Sequence, residues 1–140
     1  MKQIATGRRT DAERAAEHYL YRVLSCEIEQ IRRAVRVRFQ SVDFWGCDVM
    51  GRHISGHAYY AQVTAGQTEA VRTRRRKLEK ISWNEYDHVY LLQLVERKAG
   101  RGKDFFFRVH RFHHQPRRWD VDDALQPVPR EWFRKLRIEG

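Results

Sequence analysis

Residues 42–80 read VDFWGCDVMGRHISGHAYYAQVTAGQTEAVRTRRRKLEK, and the changes of pattern inside this stretch decide the fold. CDVMGRH (47–53) and AYYAQVTAG (58–66) have the apolar and aromatic composition of strands, and ISGH (54–57) between them supplies turn residues. A hairpin centred on Ser55 follows. From Gln67 the pattern becomes helical: Val71, Leu78 and Ile81 recur on one face and the other face is densely basic, which predicts a helix over Gln67–Ile81. Asp48 and Gln62 each lie seven residues from Ser55, so they oppose one another across the hairpin. Opposed residues face the same side of a sheet with Cβ atoms about 5 Å apart. Alternation adds Tyr60 and Thr64 to that side and turns Ala61 and Val63 to the other. A carboxylate, an amide and a hydroxyl thus converge on one patch. Oxygen donors of this kind suit Mg²⁺, which keeps several waters and takes few protein ligands. A slip of one residue in register would disperse the patch.

Working outward, residues 1–9 read as a basic tail, and Thr10 opens a helix with the capping-box spacing to Glu13. Ala12, Ala16, Tyr19, Leu20 and Val23 share one face of that helix, which runs to about Leu24 with a possible extension into residues 26–32. AVRVRF (34–39) alternates like a half-buried strand, and SVDFWG (41–46) is a bend. Beyond the basic helix, residues 83–88 read as a loop, VYLLQLVE (89–96) as an apolar strand, KAGRGKD (98–104) as a turn and FFFRVHRF (105–112) as a returning strand. Residues 115–130 look irregular, and a short amphipathic helix with Trp132, Phe133 and Leu136 closes the chain. The order αβββαββ plus a final helix predicts an α/β protein with a central mixed β-sheet flanked by helices. The 140 residues make a single domain (1–140), with its core in 10–112 and an irregular segment and helix in 113–140.

The charge balance points to a polyanion. Lys and Arg number 28 against 18 Asp and Glu, a formal net charge of +10. Most of the cations are arginines, whose planar fork grips phosphate oxygens in pairs. Arg72, Arg75, Arg76, Lys77 and Lys80 crowd one helix. Like charges at i,i+4 weaken an isolated helix, so a sequence that keeps them suits a phosphate backbone better than a merely solvated face. Arg97, Lys98, Arg101 and Lys103 form a second basic cluster. Two cysteines are too few for a disulfide framework, and no apolar run has the length of a membrane span. The expected location is the cytoplasm of a prokaryote, or of a virus-infected one.

The hairpin, the DFWGCD bend (43–48), the QVT of Gln62–Thr64 and the basic helix together resemble the catalytic core of the PD-(D/E)xK nuclease superfamily. They are most similar to its small members, such as the archaeal-type Holliday-junction resolvases. The resemblance covers residues 10–112 and implies a restriction-endonuclease-like αβββαβ core. It implies a catalytic set of Asp48, Gln62, Thr64 and Glu13, of which Asp48, Gln62 and Glu13 would hold Mg²⁺, with Mn²⁺ as a substitute. It also implies a homodimer acting on branched DNA. Two positions depart from the family pattern: Gln62 stands where Asp or Glu is usual, and Thr64 where lysine is usual. An amide carbonyl brings no negative charge to a cation, and threonine supplies no positive one. Lys77, Arg75 or Arg76 are the cations placed to replace the lysine.

Each of these residues also has a plainer reading. Asp43 caps a bend, Glu13 serves the capping box, with Glu17 as the spare candidate, and Gln62 and Thr64 are ordinary strand residues. Trp45 is either core or a base-stacking side chain. The histidines at 53, 57, 110, 113 and 114 lack the tight spacing of a zinc site. No Ser-His or Cys-His pair stands in a recognisable setting, and there is no Walker-type glycine loop. The rival functions are a non-catalytic nucleic-acid-binding protein on the same fold and an RNA-directed nuclease.

Overall fold

In the computed structural model, residues 11–28, 48–80, 86–134 and 136 are described. The basic tail, Thr10, the strand expected at 34–39, the DFWGC part of the bend with Trp45, and Ile81 lie outside them.

The central feature is a long hairpin of β4 (His88–Ala99) and β5 (Gly102–His114), paired antiparallel from Val89↔Phe112 to Ala99↔Gly102. Its two-residue turn begins with Gly100 at φ +60°, the positive φ that a II′ hairpin turn requires at this position. The β2–β3 hairpin (Asp48–His53 and Ala58–Thr64) is centred on Ser55 as the sequence predicts, with Asp48 paired to Gln62 and Arg52 to Ala58. Gly56 (φ +94°) turns this corner, and its N–H donates to the His53 carbonyl at 2.8 Å.

After β3 the chain crosses over through α2 (Thr68–Leu78) to β4, which runs parallel to β3. All other pairings are antiparallel. The described residues form a seven-stranded mixed sheet in the order β1-β2-β3-β4-β5-β6, with β7 also on β5. The chain is therefore α/β, as expected.

Two apolar layers sandwich the sheet. On one side lies α1 (residues 11–18), continued by a π-helical turn at Tyr19–Val23. Its Ala12, Ala15, Ala16, Tyr19 and Leu20 are buried with Val49, Ala61, Val63, Leu92 and Phe107. Alanine at three of these positions lets the helix lie close to the strands. On the other side, Leu78 of α2 packs with Met50, Tyr60, Val89, Leu91 and Phe112.

Three local expectations are corrected. The extension of the first helix into residues 26–32 fails, because Ser25 takes φ 58° and ends the helical path. Cys26–Ile28 then forms β1 on the edge of β2, with Cys26 opposite His53. Residues 115–130 are not irregular. Arg117–Val121 (β6) pairs with His110–His114, and Gln126–Val128 (β7) pairs with Phe105–Phe107. Neither segment has a strong strand signal of its own. The thirteen-residue β5 is long enough to offer both of them one free edge. In place of the closing helix there is a 3-10 turn at Arg130–Phe133, which buries Trp132. Arg134 is already extended (ψ 158°), so the helical path stops there.

Candidate functional site

The register places Asp48 and Gln62 directly opposite, and Gln62 and Thr64 two residues apart on β3. These three positions therefore share the α2 side of the sheet. Gln62 and Thr64 are both buried. Glu13 is half-buried on α1, the helix that packs over Val49, Ala61 and Val63 on the opposite side. The structure thus gathers the three hairpin positions and sets Glu13 in the other layer.

Around Thr64 the structure builds a polar network that crosses β3, β4, β5 and α2. Arg75 Nη2 lies 2.7 Å from His110 Nδ1. A guanidinium can only donate, so His110 Nδ1 must accept and its proton sits on Nε2. That nitrogen donates to Gln93 Oε1 at 3.1 Å. Gln93 Nε2 donates to the Gly66 carbonyl at 3.4 Å, and the Gly66 N–H donates to Thr64 Oγ1 at 3.1 Å. Donor chemistry alone fixes the direction of every link. His110 is buried, and burial, followed by the charges of Arg75 and Arg108, pushes its pKa down to about 4. It stays neutral, as the network requires.

Arg75 is held from the other side too. Its guanidinium lies 5.1 Å from the centre of the Trp119 ring, and Trp119 Nε1 donates to Glu79 Oε2 at 2.7 Å. Burial lowers the proton affinity of Arg75, and Glu79 works against that shift. Arg117 donates to the Glu79 carbonyl at 3.4 Å. Strand β6 therefore clamps the C-terminal half of α2 against the sheet. At the other end of α2, a Cβ on Gly66 would come within 2.3 Å of Ala70 Cβ, so the chain can enter the helix here only through glycine.

Of the five cations expected to meet nucleic acid, Arg72 and Arg76 are exposed at i and i+4 on α2, and Lys80 is exposed in the turn that follows the helix. Arg72 also reaches Glu69 at 3.6 Å. Lys77 is half-buried, and Arg75 turns inward into the network.

His53, His57 and His88 lie close enough together beside the β2–β3 turn that, after burial and Arg111, the first two lower the proton affinity of the third, while the other described histidines sit elsewhere. His57 Nδ1 meets His88 Nε2 at 3.2 Å beside the β2–β3 turn, His110 belongs to the network, and His113 pairs with Asp120 at 2.7 Å. Arg111 donates to His88 Nδ1 at 3.1 Å, so His88 Nε2 carries the proton given to His57. Among the described residues, no group of three or more His, Cys, Asp or Glu is arranged to hold a metal ion. No helix among them is long and apolar enough to cross a membrane.

Sequence reasoning missed Gln93 and His110, which are bonded to each other, and Trp119, which with His110 holds Arg75. A signal for the first two was available: each is a polar residue inside an otherwise apolar strand, VYLLQLV and FFFRVHRF. Such a residue must find a hydrogen-bond partner when buried.

No protein-family model, curated protein sequence or solved structure matches this chain.

Proposed function

We propose that this protein is a Mg²⁺-dependent DNA endonuclease of the PD-(D/E)xK kind, acting on branched DNA. The observation that carries the reading is the register Asp48↔Gln62 on a hairpin that leads, through Gly66, straight into a helix with an exposed basic stripe. A strand–helix–parallel-strand crossover after the hairpin is what the resemblance requires, and β3–α2–β4 has that form. The donor set fits a hard cation that keeps most of its waters: Asp48 would supply the negative charge and Gln62 an amide carbonyl. When bound, such an ion lowers the pKa of its water and stabilises charge on the phosphorus oxygens. Arg72, Arg76 and Lys80 would hold the flanking phosphates. In the reaction, a water oxygen bonds to phosphorus and gives up a proton to solvent, the bridging P–O bond breaks in line, and the leaving oxygen takes a proton from solvent. Branched DNA and a homodimer rest on the family likeness alone.

One observation favours a second reading, a nucleic-acid-binding protein without catalysis. The two positions that depart from the family motif are uncharged and buried, and Thr64 Oγ1 serves the Gly66 N–H.

A cleavage panel with Mg²⁺, Mn²⁺ or EDTA, covering four-way junction, flap, duplex, single strand and RNA, separates the readings. For a nuclease, Asp48→Asn should lower cleavage by several orders of magnitude while DNA affinity holds or rises. Wild-type protein that cuts nothing, and gains no activity from Gln62→Glu with Thr64→Lys, would establish the binding reading. Cleavage of RNA alone would move the substrate class. Cleavage that survives Asp48→Asn would remove the hairpin from the mechanism.

A further inference from the structure

The far end of the β4–β5 hairpin carries a second surface that the hairpin site does not use. β3 pairs with β4 only as far as Gln93, so the remainder of β4, with its partner β5, runs on past the end of β3. There β7 joins the free edge of β5, and a cleft of about 260 Å³ opens at the junction. Phe105, Phe106, Pro127 and Pro129 give it an apolar lining, and Lys103 and Arg130 stand at its margin. The two phenylalanines are half-buried and the two prolines exposed.

Three features restrict what this cleft can take. Its lining is apolar, and Phe106 and Pro127, opposed across β5 and β7, set an aromatic and a pyrrolidine ring on one face of the sheet, which suits a planar ring better than a flexible chain. It is small, below the roughly 300 Å³ at which drug-sized ligand sites begin. Its surroundings are cationic: Arg97, Lys98, Arg101, Lys103 and Arg130 are all exposed, against the carboxylates of Glu96 and Asp104. The Arg97 guanidinium lies 5.8 Å from the centre of the Phe106 ring. Arg130 Nη2 donates to the Lys103 carbonyl at 3.2 Å, which fixes that guanidinium beside the hairpin while using one of its five N–H donors. A flat neutral ring tethered to anionic groups describes an unpaired nucleotide within a strand.

We propose that this cleft binds one unpaired base of a single-stranded segment, stacked on Phe106, with the adjoining phosphates on Lys103 and Arg130. The proposal rests on the nucleic-acid reading above and deepens it: it gives the protein a means of preferring DNA with unpaired nucleotides over continuous duplex. Base–aromatic stacking tolerates any sequence, because every base has a π-face.

The test measures fluorescence anisotropy with a short labelled oligodeoxythymidine and with a blunt duplex of equal length. A third probe carries 2-aminopurine within a single strand. Phe106→Ala and Arg130→Gln should each weaken single-strand binding roughly tenfold and leave duplex binding unchanged. The 2-aminopurine emission that wild type quenches should recover in Phe106→Ala. Arg130→Gln alters an exposed side chain, so it serves as the test should Phe106→Ala not fold. Three results overturn the proposal. Wild-type single-strand affinity in both folded variants would remove the cleft from binding. Duplex and single-strand affinity that fall together only when Arg72, Arg76 and Lys80 become Ala would do the same, and would leave the nucleic-acid reading intact. Wild type that binds no probe would end both.

Discussion

His110 is neutral because of where it sits, and that makes the fold acid-sensitive in a way one substitution can expose. Its pKa falls from 6.5 to about 4 on folding, through burial first and then the charges of Arg75 and Arg108. The unfolded chain therefore takes up a proton that the folded protein refuses. The contribution to stability is fully present above pH 6.5 and is lost as pH falls from there towards 4. Linkage puts the loss at about 2 kcal/mol by pH 5 and about 3 kcal/mol by pH 4. Protonation would also place a hydrogen on Nδ1, facing the Arg75 guanidinium 2.7 Å away.

The assay is urea denaturation of wild type and His110→Gln from pH 7 to pH 4.5. The variant should be less stable at pH 7 by about 1–3 kcal/mol, because the amide, although it carries an acceptor for Arg75 and a donor for Gln93, fills less of the buried site than the imidazole and has one more rotatable bond to fix. It has no imidazole to protonate, so its stability should fall less steeply with acid, and the two curves should converge near pH 5. The other titrating groups are common to both proteins and cancel in the difference. Parallel curves across this range would refute the buried, neutral His110 and with it the direction of the whole network.

Two further outcomes follow from the same geometry. Gly66→Ala should lower the stability measured in thermal melts by about 1–3 kcal/mol, because its Cβ meets Ala70 Cβ at 2.3 Å, and Gly66→Ala with Ala70→Gly should recover part of the loss. Replacing Arg72, Arg76 and Lys80 by Ala should reduce the slope of log affinity against log salt on duplex DNA by about three units, while an unchanged slope would make the stripe a solvated face.

The hairpin register was legible from the sequence because a turn of Ile54–His57 fixes its own centre, and the rest follows by counting. The basic helix was legible because its period is helical and its apolar positions are few. Residues 115–130 were not legible. Their strands owe their existence to the length of β5, a non-local property that no window of the sequence contains. The same holds for Arg75. Its neighbours Arg74 and Arg76 are chemically identical, and only the placement of His110 and Trp119, 35 and 44 residues away in sequence, singles it out. Six similar cationic positions in one region of sequence carry no information about which one turns inward.

That inward turn bears on how the hairpin site works. The resemblance expects a lysine at position 64 and the chain has threonine. Arg75 is one of the three candidates to supply the missing charge, yet its guanidinium is engaged by His110 and covered by Trp119. It reaches Thr64 only through His110, Gln93 and Gly66, and each of those links donates towards Thr64. Thr64 Oγ1 therefore receives a hydrogen bond, which leaves its own O–H to be given away. Threonine in this setting is a neutral donor whose orientation is fixed by a half-buried cation at the far end of the network. A neutral donor can hold a phosphate oxygen or a water, but it cannot offset charge as lysine does. Removing Arg75 would thus loosen the hydroxyl without removing any charge from its immediate surroundings, which makes Arg75 a positioning residue for Thr64 and not a substitute for the lysine.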